Sequence, residues 1–115
     1  MLSVIPRSVE FLHLLLVASS DAPSTLDAVR GLASAAARRG HRVTVFFQMS
    51  GVKLLDASWA DRVVPLASLG VRLLACRTSA KEEGVENELA GEAEMSSLGA
   101  LVDLLDRSDR ALFLV

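Results

Sequence analysis

An α/β domain with a mostly parallel sheet is the fold class this sequence predicts, and three observations predict it. Apolar runs at 11–18, 42–47, 71–76 and 111–115 are short and nearly continuous, the pattern of strands covered on both faces. Segments with helical spacing of apolar residues fall between the runs, so strands and helices alternate. Hydrophobic residues make up 51% of the chain while Tyr is absent and Trp occurs once, so Leu, Val and Ala must fill the core. The 115 residues bound a single three-layer domain over 1–115, with helices on both faces of the sheet.

The first strand is Phe11 to Ala18, interrupted by His13. Arg7 followed by this run and Ser19-Ser20-Asp21-Ala22 also has the outline of a signal peptide. Glu10 and His13 in or beside the run, and the need for an opening strand, favour the strand. Ser24 to Arg39 is a helix by the spacing of Leu26, Val29, Leu32, Ala33 and Ala36, closed by Arg38, Arg39 and Gly40. Arg42 to Phe47 is the second strand, after which Met49-Ser50-Gly51-Val52 turns into a short segment through Leu55.

Residues 56–69 are predicted helical in part, with Pro65 either opening a short helix or breaking a longer one, and Trp59 a partial surface cover. Val71 to Cys76 is the third strand, and Thr78-Ser79 with Glu82 reads as a capping box opening a helix. Residues 82–94 hold six glutamates and few large apolar groups, so a solvated loop or lid is expected. Ser96 and Ser97 offer caps for a helix carrying Leu98, Leu101, Val102 and Leu105, and Ala111 to Val115 is the last strand. Right-handed crossovers then bring the loops at Ser19–Pro23, Gln48–Gly51 and Cys76–Ser79 to one ligand face.

Net charge is −2 with both signs interspersed, which argues against an electrostatic surface for nucleic acid. No apolar stretch reaches the ~20 residues of a membrane helix. One cysteine cannot form an internal disulfide, so the reducing cytoplasm is the expected compartment. The scattered glycines form no phosphate loop, and His13, His41 and Cys76 make no zinc set, so neither cofactor nor metal is expected. His13 reads as a satisfied core or edge histidine and His41 as a turn residue. Cys76 admits two readings: a small buried hydrophobe, or a reactive thiol at a strand's carboxyl end before a helix. Arg77 and the helix start place positive charge near it; Glu82 and Glu83 place negative charge.

Four segments resemble the DsrE/DsrF/TusD-like sulfur-relay family of small, flavodoxin-like α/β proteins. They are the opening strand with its alanine-rich helix to Arg39-Gly40-His41, and Val45-Phe46-Phe47 leading to Gly51-Val52. Gly70-Val71-Arg72-Leu73-Leu74-Ala75-Cys76 with Gly84-Val85 is the third, and Leu98-Gly99-Ala100-Leu101 through Ser108-Asp109-Arg110 to Phe113 the fourth. The resemblance implies that Cys76 carries sulfur as a persulfide, a sulfurtransferase role without a cofactor. It also implies sulfur donor and acceptor proteins as partners, and a homo- or hetero-oligomer, trimer or hexamer. The alternative is a non-catalytic assembly subunit in which Cys76 is packing; a small-molecule binding module is a third reading.

Overall fold

The computed structural model describes residues 11–115; Arg7 and Glu10, used in weighing the signal-peptide outline, lie outside them. Five strands, β1 (His13–Ala18), β2 (Arg42–Phe47), β3 (Arg72–Cys76), β4 (Ala93–Ser96) and β5 (Arg110–Leu114), pair in the order β4-β3-β2-β1-β5. Every pairing is parallel. The helices are α1 (Pro23–Arg38), α2 (Ala60–Ser68), α3 (Arg77–Glu82) and α4 (Leu98–Arg107), with two 3₁₀ segments at Met49–Leu55 and Ala57–Trp59.

The topology dictates where the helices lie. From β1 to β4 the chain steps across the sheet in one direction, so right-handed crossovers place α1, α2 and α3 on a single face. The β4–β5 connection runs back the other way and must cross on the opposite face, carrying α4. Packing follows this division. Leu16, Ala18, Val45, Phe47, Leu73 and Ala75 meet Leu26 and Val29 of α1, Val63 and Leu66 of α2 and Ala80 of α3. Leu15, Val17, Phe46, Leu74 and Cys76 point the other way, against Leu101 and Leu104 of α4. Alternation along each buried strand thus feeds two cores of unequal size.

Three expectations are corrected. Pro65 neither opens nor breaks a helix; it lies inside α2, where Val63 and Leu66 anchor the buried face. Its own position is exposed, as is Asp61, whose carbonyl loses its helical partner and faces water instead. Ser79 does not cap α3: the cap position is Cys76, and the Ser79 hydroxyl accepts from the Met49 backbone N–H at 2.8 Å. The 82–94 segment ends in a strand, β4, an edge strand whose half-exposed positions tolerate the polar residues that disguised it. Its middle is pinned, with Ala57 N–H donating to the Glu88 carbonyl and Ala90 N–H to that of Leu55.

Candidate functional site

The three loops predicted to share a face do so at the carboxyl ends of the strands. Gln48 Nε2 donates to Ser19 Oγ at 2.9 Å, and its backbone N–H donates to the Ala18 carbonyl. The Ser79–Met49 bond ties the third loop to the second. Gly51 is required here, because a Cβ would collide with the Ala18 carbonyl. Met49 adopts a positive φ of 54° and is exposed, so the rim carries one residue with a strained backbone and an exposed side chain.

Cys76 closes β3 and precedes the first residue of α3. In register its neighbour is Ser96, the last residue of β4. The connection leaving β3 goes to the α1–α3 face and the one leaving β4 goes to the α4 face. Adjacent strands whose connections diverge in this way form a topological switch point, the place where open α/β sheets leave a crevice at their carboxyl ends. Cys76 lies at it. Reading the sequence missed this partner strand, so it missed the switch point; the available signal was the alternation of Ala93 and Met95 between Gly91 and the helix-capping Ser97.

The thiol itself points inward. Cys76 is 2% exposed and packs in the small core with Leu15, Val17, Phe46, Leu74, Leu101 and Leu104. Its cover is α4, not the Glu-rich segment, which packs at Leu55–Ala57 on the other side of the sheet. Ser97 caps α4 by accepting from Ala100 N–H at 3.1 Å, which fixes the start of that cover beside the switch point. Glu83 pairs with Lys53 at 3.3 Å, so one of the two glutamates expected to oppose the thiolate is engaged elsewhere.

The histidines fall as expected. His13 Nε2 is 3.1 Å from Thr44 Oγ1, and His41 Nδ1 accepts from Leu12 N–H. Burial holds the His13 pKa below its ordinary value, helped by Arg42, Arg107 and Arg72 and opposed by Asp109. Asp56 is held low by its bonds from the Ser58 backbone and hydroxyl, a local turn function. Among the described residues no three His, Cys, Asp or Glu side chains gather as a metal site, and no helix is long and apolar enough to cross a membrane.

Comparison with known proteins gives the same fold. The sequence model of the DsrE/DsrF-like family matches residues 13–114. The crystal structure of the ychN protein from E. coli superposes with a TM-score of 0.72 at 13% identity, covering 91% of this chain and 100% of that one. A conserved protein of unknown function, BT1422 from Bacteroides thetaiotaomicron, superposes with a TM-score of 0.77 at 17% identity, covering 89% and 94%. No curated protein matches the sequence.

Proposed function

Because this chain belongs to the DsrE/DsrF-like family, a family linked to sulfur relay, we propose that it carries a persulfide on Cys76 between partner proteins. The observation that carries this reading is the address of the chain's one cysteine, at the carboxyl-end switch point of the sheet. In the loading step the Cys76 thiolate attacks the outer sulfur of a donor protein's persulfide. A Cys76 sulfur–sulfur bond forms, the donor's breaks, and the donor thiolate leaves. In the unloading step an acceptor thiolate attacks the terminal sulfur and Cys76 leaves as thiolate. No net oxidation occurs, so no cofactor is called for. The reading places the protein in the reducing cytoplasm, where an unpaired thiol persists, and in a trimer or hexamer of like or related subunits.

Burial sets a condition on this chemistry. Cys76 is buried in one cluster with Leu101 and Leu104, so a partner reaches the sulfur only when α4 shifts. The same burial favours a second reading, in which Cys76 is packing and the chain is an assembly subunit. Intact-mass measurement after incubation with a sulfane-sulfur donor separates them. A carrier gains one sulfur on wild type and none on Cys76→Ala. Alanine is the better control than serine, because a buried hydroxyl without a partner costs about 1–3 kcal/mol. Absence of the added sulfur on wild type, or its persistence on Cys76→Ala, overturns the proposal.

A further inference from the structure

The amino-terminal ends of the strands, at the far end of the sheet from Cys76, hold a second site that the sulfur chemistry does not use. A cavity of about 660 Å³ opens there on the α4 face, lined by His13, Arg42, Thr44, Arg72, Leu104 and Arg107, among others. The register explains the gathering. His13 pairs with Arg42 and Thr44 with Arg72, and parallel partners point to the same face. Arg107, in the last turn of α4, closes the cavity from above. Thr44, only 2% exposed, forms the floor, bonded to His13.

The charges are not all spoken for. Arg72 is braced by Glu94 through two bonds of 3.3 and 3.4 Å. Asp109 accepts from the His13 backbone N–H at 2.7 Å, in a neighbouring groove that shares His13 and Arg42 with the cavity. Among the described residues Arg42 and Arg107 have no carboxylate within salt-bridge distance. Two guanidiniums with no carboxylate partner among the described residues, beside an imidazole whose charged form is disfavoured, match a dianion, and guanidinium forks bind tetrahedral oxyanions through paired hydrogen bonds. The cavity's volume lies within the ~300–1,000 Å³ typical of small-molecule sites, and it opens to solvent between the exposed Arg42, Arg72 and Arg107. Leu104 supplies an apolar wall for the part that is not charged.

We propose that this cavity binds the dianionic phosphate group of a small organic phosphate ester, held by Arg42 and Arg107 over the His13–Thr44 floor. The inference is independent of the role of Cys76. Titration calorimetry of the full chain with adenosine 5′-monophosphate, inorganic phosphate and adenosine tests it, alongside the histidine ring signals in NMR. Saturable binding of the monophosphate, weaker binding of inorganic phosphate and none of adenosine are expected. Bound dianion should raise the His13 pKa. Arg42→Ala and Arg107→Ala should each weaken the monophosphate by about tenfold or more, as loss of a charged hydrogen-bond donor does, while Arg38→Ala, on α1, leaves it unchanged. The proposal is overturned by no saturable binding, by binding that survives both arginine substitutions, or by equal affinity for phosphate and its ester. Binding to RNA alone, with a steep salt dependence, also overturns it.

Discussion

His13 shows how one residue links the strand pattern to the behaviour of the molecule. It interrupts an otherwise apolar run and was legible as a histidine with a partner; Thr44 is that partner. Its surroundings were not legible, because Arg42, Arg72 and Arg107 come from two other strands and a helix. Their charges, with burial ahead of them, lower the folded-state pKa, and Asp109 opposes them. The unfolded chain therefore binds more protons than the folded one near the ordinary value of 6.5. Stability is complete above that value and falls as pH drops through it toward the lower folded pKa. Urea unfolding between about pH 8 and about pH 5 should show this loss in wild type, and His13→Gln should remove most of it. An unchanged slope in the variant would assign the pH dependence to other groups.

At the scale of elements, α4 decides whether the thiol is available. Ten residues long, it is the helix that covers the second core, and Leu101 and Leu104 are the residues it inserts there. Leu101→Ala should cost about 2–5 kcal/mol, the range for truncating a buried leucine. It should also speed reaction of Cys76 with a thiol reagent under native conditions, read as the rate of mass increase. A destabilised variant with an unchanged rate would mean the thiol is reached by another path. This helix was legible from its apolar spacing and its serine cap, and β1, β2, β3 and β5 from their apolar runs. β4 was not, since an edge strand of Ala, Glu, Met and Ser carries none of the continuous hydrophobicity that a doubly covered strand must have. Missing it hid the divergence of connections around Cys76, although the cysteine itself stood out. Pro65 misled for a related reason: propensity argues against a helix interior, but an anchored apolar face overrides it where the lost bond faces water.

At the scale of the whole molecule, the two faces of the sheet are unequally served. Three helices and the 3₁₀ segments cover one; α4 serves the other, with β5 as an edge strand beside it. The outer surface of α4 is apolar as well. Leu98, Val102 and Leu105 are exposed at helical spacing, forming a stripe next to the buried one, and Phe113, in register with Val17, is exposed on the same face of β5. Exposed apolar residues on this face, beside a strand edge that is unpaired among the described residues, are the kind of surface a second subunit would cover in the proposed oligomer. As that contact it would also give a neighbouring subunit purchase on the helix over Cys76. Sedimentation at micromolar concentration should find wild type as a trimer or hexamer and Leu98→Glu/Val102→Glu as a folded monomer. Both substituted positions are exposed in the single chain, so the monomer's own unfolding midpoint should change little. A wild-type monomer would overturn the proposed oligomer, and an oligomer indifferent to these charges would place its contact elsewhere.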